Sequence, residues 1–302
     1  MRRLLSIVGL GLAALTLVGC TTGGTGPAPA SESAAPASDG APSPSPAGSG
    51  ATGAGVPAFA HVVIVVEENH GPAAAMQMAY LAQLRRDGMT FSHSHGVAHP
   101  SEPNYLALWS GSTHGVTSDA CPIDLGAAAS LGSQLLSAGH TVAAYAEGLP
   151  AAGSTVCSAG AYARKHDPLA DFSATAGPAH DLPFSSFPRD FATLPSVSLV
   201  VPDLNHDAHD GSITAADDWL RTQLGAYAAW APTHDSLLIV TFDEQDGGKA
   251  ANRILTVFSG AHVRPGTSAE RIDHVRVLQT VETSFGLPLL GSPAAPITGV
   301  WQ

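Results

Sequence analysis

Beyond residue 60, apolar residues fall in two kinds of run. His61 to Val66 (HVVIVV), Thr141 to Ala146 (TVAAYA), Ser196 to Val201 (SVSLVV), Ser236 to Phe242 (SLLIVTF) and Ile254 to Phe258 (ILTVF) are short and nearly uninterrupted. Such runs predict strands buried on both faces. Between them, apolar positions recur at helical spacing over Ala73 to Arg86, Ser130 to Ala138, Ala215 to Trp230 and Asp273 to Phe285, the last with Val275, Leu278, Val281 and Phe285 on one face. Strand and helix in alternation predict an α/β fold, a mainly parallel central sheet covered by helices on both faces.

The N-terminal pattern is different. Arg2 and Arg3 precede an uncharged, mostly apolar run from Leu4 to Val18, shorter than the roughly 20 residues that span a bilayer. It reads as a signal peptide over residues 1–19. Leu17-Val18-Gly19-Cys20 resembles a bacterial lipobox, which makes Cys20 the expected lipidation site. From Thr21 to Val56 every residue is Ala, Gly, Pro, Ser or Thr except Glu32, Asp39 and Val56. That composition cannot bury enough apolar surface to offset chain entropy, so residues 20–56 are expected to be a lipidated Cys and a disordered tether. Residues 57–302 remain for one domain.

Charge narrows what that domain does. The chain carries 13 Lys and Arg against 25 Asp and Glu, a net charge of −12, and all 14 His lie beyond residue 60. Affinity for nucleic acid rests on clustered cations, so that class of partner is excluded. With Cys20 assigned to lipid, Cys121 and Cys157 are the cysteines left in an exported chain, and they are expected to pair.

The segments that follow the strands carry the candidate chemistry. The first strand ends in Glu67-Glu68-Asn69-His70, the third in Pro202-Asp203 with Asn205-His206-Asp207-Ala208-His209-Asp210 behind it, and the fourth in Asp243-Glu244-Gln245-Asp246. The carboxyl ends of strands in an open parallel sheet converge on the ligand crevice. Three acidic clusters there repel one another unless a cation sits between them, and a hard divalent ion with oxygen ligands suits them. Ser101, in His99-Pro100-Ser101-Glu102-Pro103-Asn104-Tyr105, stands just before a helical stretch from Asn104 to Trp109. By itself a Ser there is a helix cap; beside a phosphate it is also a nucleophile at the positive end of a helix. His93 and His95 alternate as on a strand and stay outside the candidate set.

Taken together, HVVIVVEENH (61–70), HPSEPNYLALWSGSTHGV (99–116), EGLPAAGSTVCSAGAYARKH (147–166), VPDLNHDAHD (201–210) and LLIVTFDE (237–244) resemble the bacterial phosphoesterase family of secreted acid phosphatases and phospholipases C. The resemblance is closest to actinobacterial acid phosphatases, some of which act on phosphoinositides. It spans nearly all of residues 60–300 and implies an alkaline-phosphatase-like fold. Ser101-Glu102-Pro103-Asn104, followed by Gly111 and His114-Gly115, also resembles the nucleophile motif of the nucleotide pyrophosphatases of that superfamily.

Carried over by position, the resemblance implies that Glu68, Asn69, Asp243 and Glu244 hold one divalent ion, with Ca, Mg or Mn suited to the oxygen donors and Zn used elsewhere in the superfamily. Ser101 becomes the nucleophile, Asn104, His99 and His274 substrate-binding groups, and His206 and His209 catalytic groups. Relatives often carry Cys at the positions of Asn205 and Gly211, so the loop between them is expected to be looser here. The expected function is a metal-dependent phosphomonoesterase with a phosphoserine intermediate, exported and lipid-anchored to the membrane, acting on a phosphate ester, with phosphoinositide or another phospholipid among the substrates implied. The alternative is a phospholipase C-like phosphodiesterase. A binding protein that has lost activity is disfavoured, because nucleophile and metal ligands are all present.

Overall fold

The computed structural model of the chain describes residues 55–248 and 251–302. The expected signal peptide, Cys20 and nearly all of the tether lie outside these residues; Val56, at the tether's expected end, is buried.

Strand β1 (His61–Glu67) leads through helices α1 (Pro72–Ala75) and α2 (Ala79–Asp87) to β2 (Met89–His95). Helices α3 (Glu102–Ser110) and α4 (Leu131–Ser137) precede β3 (Val142–Ala146), the small hairpin β4 (Ser158–Ala159) and β5 (Tyr162–Ala163), and β6 (Asp181–Pro183). Then follow β7 (Val197–Val201), α5 (Ile213–Trp230), β8 (Ser236–Phe242), β9 (Arg253–Gly260), β10 (Gly266–Ser268), β11 (Ile272–Asp273) and α6 (His274–Ser284). None of the described helices is long and apolar enough to cross a membrane.

All five strands expected from the apolar runs are present in one nine-stranded sheet, ordered β10-β2-β9-β8-β1-β7-β3-β6 with β11 beside β2. The block β8-β1-β7-β3-β6 is parallel. Strand β9 runs antiparallel to both β8 and β2. The reason is local: residues 243–252 are too few for the crossover of about a dozen or more residues that a parallel neighbour needs.

Side chains alternate along β1, with Val62, Ile64 and Val66 in one apolar layer and Val63 and Val65 in the other. The first layer packs on Leu106 and Trp109 of α3 and Val277 and Val281 of α6, the second on Leu81 of α2 and Leu220 and Leu224 of α5. The single helix expected over 73–86 is broken at Met76–Met78. Asp217 of α5 accepts hydrogen bonds from the Tyr80 N–H at 2.8 Å and the Leu81 N–H at 2.9 Å. This carboxylate from another element satisfies the orphan donors of a fresh helix start, so α2 begins anew at Ala79.

Cys121 and Cys157 form a disulfide across 36 residues of sequence. Closing a loop of that length stabilises the fold by about 3 to 4 kcal/mol in the chain-entropy model. Alkylation followed by intact-mass analysis of the oxidised domain is expected to find no free thiol, and reduction is expected to lower its melting temperature; two free thiols in active protein would contradict the pairing. In the 204–211 loop the N–H groups of Asp210 and Gly211 both donate to the Leu204 carbonyl, at 2.8 and 3.1 Å.

Candidate active site

Register brings the acidic strand ends together. Glu67 of β1 pairs with Phe242 of β8, so Glu68 and Asp243 emerge side by side at the carboxyl end of the parallel block. The Asp243 N–H donates to the Glu67 carbonyl at 3.0 Å, and the Glu68 N–H to the Asp207 carbonyl at 2.7 Å. Asn69 then turns with φ 53°, a left-handed conformation that Asn tolerates better than most residues. That turn sends its N–H to Asp243 Oδ1 at 2.8 Å and its side-chain amide to Glu68 Oε2 at 3.0 Å.

Ser101 sits at the start of α3, but its hydroxyl makes no capping bond. It donates to Glu68 Oε2 at 2.9 Å and is 2% exposed. Tyr105, one turn along α3, donates its hydroxyl to Glu68 Oε1. Its ring stacks on the imidazole of His166 at 5.0 Å and 12°. His166 places Nε2 3.3 Å from Glu68 Oε2 and Nδ1 3.1 Å from Asp207 Oδ2.

The electrostatics follow from burial. Desolvation alone would raise the Glu68 carboxyl, but the charge and hydrogen bond of His166, with the Tyr105 hydroxyl, hold it down to about 2. Burial would likewise lower His166, yet Glu68 and Asp207 facing it raise it to about 10. Glu68 and His166 are therefore a buried ion pair. Glu67, Asp207, Asp243 and Glu244 are all pushed above the usual carboxylate range, burial being the largest cause for each. For Asp243, the neighbouring Glu68 charge adds to burial.

Several acids thus converge where His166 is the fully buried cation, and Asp243 Oδ2 is buried without a hydrogen-bond partner. An orphaned carboxylate oxygen beside Glu68 fits a cation, and Glu68, Asn69, Asp243 and Glu244 offer the oxygen donors a hard divalent ion takes. The donors are not drawn tight around one point: Glu244 pairs with His99, Asp243 with the Asn69 N–H, and Glu68 with Ser101 and Tyr105. Among the described residues, the His and acidic donors that all lie within 4.8 Å of one another are Glu147, Asp203 and His206.

Three of the expected site residues are engaged with neighbouring protein groups. His206 does not join the Ser101 group: Glu147 Oε2 at 3.0 Å and Asp203 Oδ1 at 3.1 Å take its Nδ1, and its ring stacks on Trp219. The amide of Asn104 is used up on the 97–100 backbone, accepting from Val97 and Ala98 and donating to the carbonyls of Ala98 and Pro100. It fastens the loop that carries Ser101. His274 is 1% exposed and donates Nε2–H to the Asp243 carbonyl at 2.6 Å, which fixes the residue at the end of β8. His209 does reach the group, with its ring 5.9 Å from His166 and Nε2 3.2 Å from Lys165 Nζ. Lys165 also pairs with Asp119 at 3.0 Å.

Tyr105, Lys165, His166 and Asp207 were not singled out from the sequence. Each lies inside a segment that resembled the family, YARKH and HPSEPNY included, but nothing in its own spacing set it apart.

A profile of the Phosphoesterase family matches residues 73–288. The chain belongs to the Phosphoesterase family. This member is 51% identical over 253 residues to a phosphatidylinositol-3-phosphatase of Mycobacterium tuberculosis, covering 82% of this chain and 84% of that protein. It is 29% identical over 254 residues to a phosphate-repressible acid phosphatase of Penicillium chrysogenum, covering 78% of this chain but only 61% of the fungal protein. A solved structure of an alkaline phosphatase superfamily protein from Vibrio parahaemolyticus aligns with a TM-score of 0.54 at 12% identity, over 76% of this chain and 67% of that one. The fold is therefore of the alkaline phosphatase kind, and this Phosphoesterase family member is a hydrolase of phosphate esters.

Proposed function

We propose that this hydrolase is a metal-dependent phosphomonoesterase in which Ser101 forms a phosphoserine intermediate. The observation that carries the reading is the Ser101 hydroxyl, which points away from its helix cap and onto Glu68, beside the unpartnered Asp243 Oδ2. A divalent ion held by Glu68, Asn69, Asp243 and Glu244 supplies positive charge that lowers the pKa of a nearby hydroxyl and offsets charge on the phosphoryl oxygens. Ser101 Oγ attacks phosphorus, its proton passing to the carboxylate it already contacts, and the bond from phosphorus to the ester oxygen breaks. His209, once protonated, gives a proton to the leaving alkoxide, and the Lys165 ammonium attracts a phosphoryl oxygen. Water then attacks the phosphoserine, releasing phosphate and restoring the Ser101 hydroxyl. In the resting enzyme Tyr105 and His166 hold Glu68 ionised and oriented, and the proton it takes from Ser101 returns to the Ser101 oxygen when water cleaves the phosphoserine.

The purified chain is expected to hydrolyse p-nitrophenyl phosphate much faster than bis(p-nitrophenyl) phosphate. The reverse preference would favour the phospholipase C-like diesterase reading. The mycobacterial relative makes phosphoinositide the first physiological substrate class to test.

In the same reading Cys20 carries lipid and tethers the enzyme to the outer face of the cytoplasmic membrane. Cys20→Ala is expected to shift the enzyme from the membrane fraction to the soluble fraction with kcat unchanged. Equal partitioning of the variant and the parent chain would refute lipidation.

A further inference from the structure

We propose that the cavity beside His99 binds a second phosphoryl group of the substrate, so that the enzyme favours phosphomonoesters that carry another phosphate over those that do not. The inference rests on the phosphomonoesterase reading and adds a specificity site to it.

The cavity holds about 440 Å³ and is lined by His95, Gly96, Val97, His99, Asn252 and Arg271, among others. It shares walls with the Ser101 group. His99, on one side, is the partner of Glu244. Gly96, on another, lies so close to β8 that a Cβ there would sit 2.6 Å from the Asp243 carbonyl oxygen. A substrate with one phosphoryl group at Ser101 therefore has this cavity as its neighbour. The walls are tied in place: the Gly96 N–H donates to the Asn252 carbonyl at 2.9 Å, and the Asn252 amide donates to the Ala98 carbonyl at 2.9 Å.

The charged residue of the lining, Arg271, is opposite in sign to the domain. In a chain of net charge −12, His95 is faced by Arg271, His93 and Arg253. Arg271 is exposed, and among the described residues its guanidinium has no hydrogen-bond or ion-pair partner. The acids nearest it in sequence are committed elsewhere: Glu270 pairs with Arg276 at 2.6 Å, and Asp273 accepts from the Arg276 N–H at 3.1 Å. His95 is 7% exposed, its Nδ1 engages the Ala251 carbonyl at 2.8 Å, and its Nε2 is buried with no partner. Burial keeps the imidazole below its usual pKa against the opposing hydrogen bond to the Ala251 carbonyl, with Arg271 and Arg253 acting in the same sense as burial. The Arg271 guanidinium on the cavity wall is the planar fork that phosphate recognition uses.

Two sources supply that chemistry: the phosphodiester of a lipid headgroup, and the second phosphate of a soluble bisphosphate. The test compares the full chain with Arg271→Gln on p-nitrophenyl phosphate, short-chain phosphatidylinositol 3-phosphate and fructose 1,6-bisphosphate. The ratio of kcat/KM for a two-phosphate substrate to that for p-nitrophenyl phosphate is expected to fall about tenfold, mainly through KM, and to recover in part in Arg271→Lys. A fall for the lipid alone assigns the headgroup, and a fall that includes the sugar bisphosphate assigns the soluble class. An unchanged ratio for both substrates, or an equal loss on all three, overturns the proposal. Calorimetric binding of the same two ligands to Ser101→Ala, with and without Arg271→Gln, reads the cavity without turnover. A Ser101→Ala chain that still releases phosphate would refute the nucleophile; equal affinity with and without Arg271 would refute the cavity.

Discussion

Ser101→Ala is expected to lower kcat by several orders of magnitude, on the order of 10⁴ or more, as removal of a nucleophile does in other hydrolases. A helix cap makes a different prediction: a loss of about 1 kcal/mol in stability with turnover nearly intact. The structure separates the two, because Ser101 makes no side-chain capping bond and gives its hydroxyl to Glu68 at 2.9 Å. Removing that hydroxyl leaves Glu68 with the Tyr105 hydroxyl, the Asn69 amide and His166, so the carboxylate stays satisfied. The expected change in melting temperature is therefore small, and metal affinity is expected to fall little, since the carboxylates remain. Measuring kcat and melting temperature on the same variant decides the matter. Normal turnover with early melting would make Ser101 a cap and leave His209 or a bound water to attack phosphorus.

What the sequence made legible follows from which forces act locally. Strands β1, β3, β7, β8 and β9 were readable because burial on both faces removes polar residues from a short run. Strand β2 was readable only in the alternation of His93 and His95: MTFSHSH carries polar residues at Thr90, Ser92, His93, Ser94 and His95, and its Ser94 and Thr90 are buried by the fold rather than by hydropathy. The break between α1 and α2 is invisible to periodicity, because its cause is Asp217, far along the chain. The site divides in the same way. Glu68, Asn69, Asp243 and Glu244 stand at strand ends, where a parallel sheet gathers ligands whatever the details. His166 and Lys165 lie in a loop with a single turn of 3₁₀ helix, a context with no period, and only packing on Tyr105 reveals the buried cation. The partners of His206 were not legible either, because Glu147, just after β3, reaches its ring from far along the chain beside Asp203, three residues earlier.

The second large effect concerns the charge at Asp243. Asp243→Asn keeps an oxygen to accept the Asn69 N–H and alters the shape of the site very little, so it tests charge alone. In the metal-free chain the Asp243 carboxyl is buried against Glu68, and both burial and that neighbour oppose its ionisation. A neutral amide removes the conflict, so the metal-free variant is expected to melt no lower than the parent. With a divalent ion the order reverses. Binding to the folded state alone stabilises by about 2.7 kcal/mol at a hundredfold excess over Kd, which for a domain of this size raises the melting temperature by roughly 5 to 10 °C. The parent chain is expected to show that rise with Ca²⁺, Mg²⁺ or Mn²⁺ and to lose turnover on chelation. Asp243→Asn is expected to lose most of the rise and at least about 100-fold in kcat/KM, because a missing ligand charge weakens both metal affinity and the stabilisation of the transferring phosphoryl group. An equal thermal shift in the two chains would remove Asp243 from the metal site, and full turnover in rigorously metal-free protein would remove the metal from the mechanism. The opposite signs expected without and with the ion are the strongest part of the test, since a variant that is merely misfolded melts early in both conditions.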